Sequence, residues 1–388
     1  MDITYLDNNA TTRPEPAVVE AMQAALSDYW ANPSSIHRPG QQARQQIELA
    51  RKDVGALIGA RPRDIIFTSG GTEGANLAVF GSIMALEGRD IIVTVRTEHS
   101  AVRQAADRYD ASKQGRTIWL NMSPDGVVNL DHLRTVLGEH ADRTAVVSVM
   151  WANNETGIIQ PVEAIGTLCR EHGVRYHVDG VQWVGKMPTN VGEMSIDLLS
   201  FAGHKYHGPK GAGGLYIRSG TALEPFVIGG SHERDLRGGT ENVPGIVGLG
   251  VASRLSREWL ETNERERLAT LRDRFERTIC ETIDDTIVNG GGAPRVWNTS
   301  NIGFARLESE AMLLLMSERG VSASAGSACS SGSLDPSPVL LAMGVDEAYA
   351  HGSVRFSLCR HTTDAEIDRA LDVIPGVVER LRRSMASV

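Results

Sequence analysis

Cysteine is scarce in this chain. Its 388 residues hold four, Cys169, Cys280, Cys329 and Cys359. They are too few and too far apart for a disulfide framework, and none forms a CxxC metal pair. That scarcity fits a reducing cytoplasm. Long apolar runs are missing too: stretches such as AVVSVMWA at 145–152 fall far short of the ~20 residues that a membrane helix needs. The start, MDITYLDNNATT, shows no basic segment followed by an apolar one, so no secretory signal is expected. A basic surplus is also absent. The 39 Lys and Arg face 48 Asp and Glu, a net charge of −9, which argues against a nucleic-acid partner. What is present is ordinary for a folded chain: 41% hydrophobic and 22% charged residues, with a length suited to two domains.

From about residue 64 to 218, short apolar runs alternate with helix-length segments: DIIFTSG (64–70), DIIVTV (90–95), TAVVSVMWA (144–152), VRYHVDG (174–180) and SIDLLSFAG (195–203). Strands of continuous apolar character separated by helices predict a mainly parallel sheet covered on both faces. In such sheets, ligands bind in the crevice beyond the carboxyl ends of the strands. From Val251 to Ile283 there is no proline or glycine, and Leu268, Leu271, Phe275 and Ile279 recur at helical spacing. That spacing predicts one long helix leading out of the large domain. GGGAP (290–294) then opens a smaller α/β segment.

Several strand ends carry residues with chemistry. In TSGGTEGANLAVFG (68–81), a strand runs through Gly70, Gly71 and Thr72 into a helix. Bare N–H groups there suit a phosphate, although a turn that merely needs glycine reads the same way. Lys205, in SFAGHKYHGPKG (200–211), is either a surface charge or a desolvated amine able to bond covalently to an aldehyde cofactor. His204 and His207 lack a third metal ligand at useful spacing. Asp179 ends the strand in YHVDGVQ, either as a helix cap or as a partner for a pyridinium nitrogen. Phosphate turn, aspartate and lysine together favour pyridoxal phosphate.

Cys329 sits in SASAGSACSSGSLDPS (322–337), among serine, alanine and glycine rather than the apolar neighbours of a structural cysteine. The run suits an exposed loop that carries a thiolate. Cys169 and Cys280 fall in helical patterns and read as core or filler. Cys359, in HGSVRFSLCR (351–360), reads as a buried strand residue. Arg355 in the same strand either alternates out to solvent or offers a two-pronged grip on a carboxylate. His99 in TEHSAV is a candidate for ring stacking and proton transfer. In WANNETG (151–157), Asn153, Asn154 and Glu155 are candidates or plain turn residues.

These motifs, with YLDNNATT (5–12), NPSSIH (32–37), RGGTEN (237–242) and VRFSL, resemble cysteine desulfurases of the NifS/IscS type over essentially the whole length. Those are fold-type I pyridoxal-phosphate enzymes of the class-V aminotransferase group. The resemblance implies an α/β fold with a large cofactor-binding domain at 14–257. A smaller C-terminal α/β domain would follow at 258–388, with segment 1–13 packed on it. It implies that Lys205 holds the cofactor covalently, Asp179 meets the pyridine nitrogen, Gln182 lies near the ring's phenolic oxygen, and His99 stacks on the ring. Gly71, Thr72, Ala202, Gly203 and His204 would contact the cofactor and its phosphate, with Asn154 beside ring and substrate. Thr240 would reach the phosphate of a neighbouring subunit, which implies a homodimer. Arg355 would grip the carboxylate of L-cysteine, and Cys329 would take its sulfur as a persulfide, releasing alanine.

The expected acceptor is an iron–sulfur scaffold protein, and the expected compartment the cytoplasm. No intrinsic metal is expected, apart from Cys329 as a transient iron–sulfur ligand. Trp183 stands where the family usually has a small residue, and Cys359 where serine or glycine is usual. The short end at LRRSMASV, with WANNETG, leans towards the nitrogen-fixation branch. Two alternatives stay open: a class-V lyase acting on selenocysteine, with Cys329 incidental, or an idle scaffold for cluster assembly.

Overall fold

The computed structural model describes residues 3–325 and 335–386; Cys329 lies outside them. In chain order, the described strands are β1 (Thr4–Tyr5), β2 (Ile65–Thr68), β3 (Ile91–Val95), β4 (Arg116–Leu120), β5 (Thr144–Ser148), β6 (Tyr176–Asp179), β7 (Leu198–Ala202), β8 (Gly213–Ile217), β9 (Thr286–Val288), β10 (Thr299–Phe304), β11 (Val321–Ser322) and β12 (Ser353–Ser357). The helices are α1 (Pro16–Asp28), α2 (Arg38–Ile58), α3 (Gly71–Ala85), α4 (Ser100–Ala111), α5 (Leu130–His140), α6 (Val162–Glu171), α7 (Val243–Leu260), α8 (Glu264–Thr282), α9 (Ser309–Glu318), α10 (Pro338–Ala342), α11 (Glu347–Ala350) and α12 (Asp364–Ala386).

Strands β2, β3, β5, β6 and β7 are buried at every residue, as continuous apolar runs require when helices cover both faces. They join β4 and β8 in a seven-stranded sheet of order β2-β8-β7-β6-β5-β3-β4. Every pairing is parallel except those of β8, which runs antiparallel to β2 and β7. The parallel strands therefore end on one edge, and the turns leaving β3, β5, β6 and β7 face a common crevice.

A second hydrophobic core gathers Leu6, Phe275, Ile302, Phe356, Ile374 and Val377. It lies against an antiparallel sheet of order β12-β10-β9. The amino-terminal segment joins it: β1 pairs in parallel with β11, and Asn8 Nδ2 donates to the Ser357 carbonyl at 2.9 Å.

The single long helix expected over 251–283 is two helices, α7 and α8. Thr262 breaks it without proline or glycine. Its hydroxyl donates to the Trp259 carbonyl at 2.7 Å and accepts from the Glu264 N–H at 3.4 Å, displacing the helical ladder with local side-chain bonds. Among the described residues, no helix is long and apolar enough to cross a membrane.

Candidate active site

The crevice at the strand ends holds a cavity of about 410 Å³, within the size range of small-molecule and cofactor sites. Its lining includes Gly71, Thr72, His99, Asn154, Asp179, Gln182, Ala202, His204, Lys205 and Arg355. These come from strands and turns more than 280 residues apart in sequence, brought together by the fold. Gly203 is buried but does not line the cavity, and Thr240 is exposed and outside it.

Helix α3 begins at the cavity. Its N-cap is Gly70, which offers no side-chain cap, so the first N–H groups of the helix keep their positive end bare. Gly71 leaves room that a side chain would take: a Cβ would sit 2.5 Å from Val181 Cγ2, so Val181 or the helix start would have to shift. By contrast, α4 is capped by His99, whose Nδ1 accepts the Ala101 N–H at 3.1 Å. That bond leaves the proton of the neutral ring on Nε2.

Asp179, at the end of β6, is buried, and its Oδ1 accepts the Val181 N–H at 3.0 Å. Burial pushes its carboxyl above the usual range, while His99 and Lys205 pull it back. A cationic partner in the cavity would favour its charged form. Lys205 Nζ donates to the backbone carbonyls of Asn9 at 2.6 Å and Ala10 at 2.8 Å. His204 is held neutral, pushed down to about 4 chiefly by burial, with Lys205 adding.

In the loop after β5, the two asparagines divide the work. Asn153 Oδ1 accepts the Glu155 and Thr156 N–H groups and so makes the turn. Asn154 lines the cavity with its Oδ1 buried and unpartnered among the described residues. Arg355 does not alternate out to solvent. It is 2% exposed because β12 is covered on both faces. Its Nη2 donates to Asp7 Oδ1 at 2.8 Å and its Nη1 to the Asn154 carbonyl at 2.9 Å.

Some cavity residues were not foreseen. Glu98 is fully buried, with Oε1 accepting the Met150 N–H and Oε2 without a hydrogen-bond partner among the described residues. Burial, with Asp179 adding, holds its carboxyl well above the usual range. Asn9, from the amino-terminal segment, also lines the cavity. Its position one residue beyond Asn8 in YLDNNATT gave no local reason to single it out.

Other expectations are corrected. Cys280 is exposed on α8 rather than packed in a core, and Cys359 lies just beyond β12, partly buried. Cys169 is buried as expected. His207 does find potential metal-ligand neighbours, Glu15 and His361, which spacing alone did not reveal. Arg360, however, already occupies the same Glu15 oxygen at 2.6 Å, so the group is closed as an ion-pair cluster. Trp183 fills its unusual position by stacking on Trp151, with ring centroids 4.4 Å apart and planes within 5°.

Comparison with known proteins agrees with this geometry. The profile of the family described as aminotransferase class-V matches residues 4–370. A cysteine desulfurase of Trichormus azollae is 48% identical over 383 residues, covering 98% of this chain and 94% of the relative. The cysteine desulfurase NifS of Azotobacter vinelandii is 43% identical, covering 97% and 93%. A solved structure described as a NifS-like protein superposes with a TM-score of 0.90 at 33% identity, covering 98% of this chain and all of that one. On this agreement over nearly its whole length, the chain belongs to the class-V aminotransferase family, in its cysteine desulfurase group.

Proposed function

We propose that this cavity binds pyridoxal phosphate and L-cysteine, and that the chain removes the sulfur to leave alanine. One observation carries the reading: an amine (Lys205), a buried carboxylate (Asp179) and an uncapped helix start (Gly71, Thr72) converge on one cavity of cofactor size. The residues fit the cofactor. The bare N–H groups of α3 suit its phosphate, Asp179 suits a protonated ring nitrogen, and the unpartnered Asn154 Oδ1 suits a polar group of ring or substrate.

When bound, pyridoxal phosphate supplies an electron sink that stabilises negative charge on the substrate carbon bearing the amine. The chain's own groups do the rest. Lys205 holds the cofactor and moves a proton at its Nζ. Asp179 would keep a proton on the ring nitrogen, and Gln182 would donate towards the ring's phenolic oxygen. His99 would lie against the ring and present its Nε2 proton. Arg355 binds the substrate carboxylate. The Cys329 thiolate attacks the substrate sulfur: an S–S bond forms, the C–S bond breaks, and its electron pair stays on carbon, which takes a proton to give alanine. Gly203 supports the cofactor strand end from behind, and Thr240, exposed outside the cavity, serves the phosphate of a second copy in a homodimer. The domains follow as 14–257 and 258–388, with 1–13 on the smaller. A cytoplasmic site of action and an iron–sulfur scaffold as acceptor, with nitrogenase maturation as the destination, complete the proposal.

The test is spectroscopic and chemical. Purified protein loaded with pyridoxal phosphate should be yellow and make alanine from L-cysteine. Lys205→Ala should lose both properties. Cys329→Ala should keep the cofactor spectrum and release almost no alanine, and in wild type the added sulfur should be found on the Cys329 peptide by mass spectrometry. Near-normal alanine from Cys329→Ala would replace the persulfide reading with a lyase.

A further inference from the structure

We infer that Lys186, a second amine buried behind the cavity, is a positioning residue that decides which end of the Gln182 amide faces the cofactor. The inference rests on the cofactor reading above, and concerns a residue that the expected chemistry leaves unused.

Lys186 lies four residues beyond Gln182, on the turn leaving β6, and is 5% exposed. Its Nζ donates to Gln182 Oε1 at 2.6 Å and to Asn9 Oδ1 at 2.9 Å. A lysine is almost never this deeply buried unless its donors are matched, and here two are matched by side-chain amide oxygens. Asn9 is fixed independently. Its Oδ1 also accepts from Asn298 Nδ2 at 2.9 Å, and its Nδ2 donates to Thr299 Oγ1 at 2.8 Å and to the Asn154 carbonyl at 3.1 Å. Lys186 is therefore anchored on a rigid acceptor and presents a second donor to Gln182.

The consequence is orientation. With Oε1 drawn back to Lys186, Gln182 Nε2 points the other way and donates one hydrogen to the Asn9 carbonyl at 3.0 Å. A primary amide nitrogen carries two hydrogens, so one remains for the cavity that Gln182 lines. A donor beside the ring's phenolic oxygen favours the anionic form of that oxygen; an amide oxygen turned inwards would oppose it. Burial, with Lys205 and Arg355 adding, holds the Lys186 amine well below its ordinary pKa. An amine donates hydrogen bonds in either protonation state, so the geometry carries its role.

The experiment is a pH titration of the visible band of the bound cofactor, with cofactor affinity measured alongside. Lys186→Met keeps the volume and removes the donors. Its titration midpoint should rise by about one pH unit, because the anionic ring oxygen loses its donor. Gln182→Leu should shift the midpoint in the same direction, and the double variant no further than Gln182→Leu alone. Lys186→Gln, which retains a donor, should shift it less than Lys186→Met.

A wild-type midpoint in Lys186→Met overturns the inference while leaving the cofactor reading intact, as does a double variant that shifts by the sum of the singles. A wild-type protein with no visible band overturns the cofactor reading itself. If Lys186→Met does not fold, Lys186→Gln and Gln182→Leu carry the test. A Lys186→Gln shift as large as that of Gln182→Leu then counts against the inference.

Discussion

At the scale of single residues, the site is made by burial acting on groups that water would otherwise neutralise. Arg355 shows the point. Its guanidinium is 2% exposed and committed to Asp7 and the Asn154 carbonyl, so its fork is held in one plane. Arg355→Lys keeps a charge and loses the fork. It should raise the KM for L-cysteine on the order of 10–100-fold, the worth of one charge-assisted bond. An unchanged KM in steady-state kinetics would place the substrate carboxylate elsewhere.

His177 gives a second residue-level test. It is fully buried between Ser148 Oγ at 2.8 Å and Ser200 Oγ at 3.1 Å, and burial pushes its ring down to about 3. A histidine with a depressed folded pKa contributes stability that is fully present above its unfolded value near 6.5 and is lost as pH falls below it. Relative to His177→Gln, wild type should therefore lose about 1.4 kcal/mol per pH unit on acidification below ~6.5. Denaturant titrations of both proteins at pH 7.5 and 5.5 would show it, and parallel changes would place a charged ring at His177. Asp179 and Lys205 were legible in the sequence because each ends a continuous apolar strand. Lys186 was not, since a lone lysine reads as surface charge and its partner Asn9 lies 177 residues away.

At the scale of elements, the strands of the large sheet and their two covered faces were readable, and the covered faces of β12 were not. Continuous apolar runs announced the parallel strands. Alternation left Arg355 undecided at β12, because that rule assumes one wet face and β12 has none. The edge strand β4 and the antiparallel β8 carry weaker local signals. The break between α7 and α8 comes from a threonine hydroxyl, which no proline–glycine rule detects. The start of α3 yields a sharp expectation. Gly71→Ala would bring a Cβ against Val181 Cγ2 and push the helix start off the phosphate position. Cofactor affinity should fall about tenfold or more, on the order of one lost charged hydrogen bond, with little change in the melting of the cofactor-free chain. Equilibrium dialysis against pyridoxal phosphate checks this, and an unchanged dissociation constant would move the phosphate away from α3.

At the scale of the molecule, the amino-terminal segment ties the two cores. Leu6 is fully buried in the second core, while three residues on, Asn9 meets Gln182 and Lys205 at the cavity. Leu6→Ala should destabilise the protein by about 2–5 kcal/mol, as large-to-small core changes do. It should also loosen cofactor retention, because the cavity wall shares that segment. Chemical denaturation and cofactor off-rates measured together would test the link. A stability loss without faster release would show the two cores to be energetically separate. The length of the chain suits two domains, but does not foretell that its first dozen residues would reach both the second core and the cavity.

Asn9 also sets a timetable. It is the first part of the site to leave the ribosome, yet its holders come late: Asn298, Thr299 and Ser357. When the last strand of the large sheet, β8, has been synthesised, more than a third of the chain is still to come, and the carbonyl that receives the Lys205 amine has no fixed seat. Contacts of such long sequence separation form late. The nascent chain can complete its large sheet early, but the wall of the cavity waits for β10 and β12. A product lacking β12 would leave Asn9 without its Ser357 seat and the cavity open on that side.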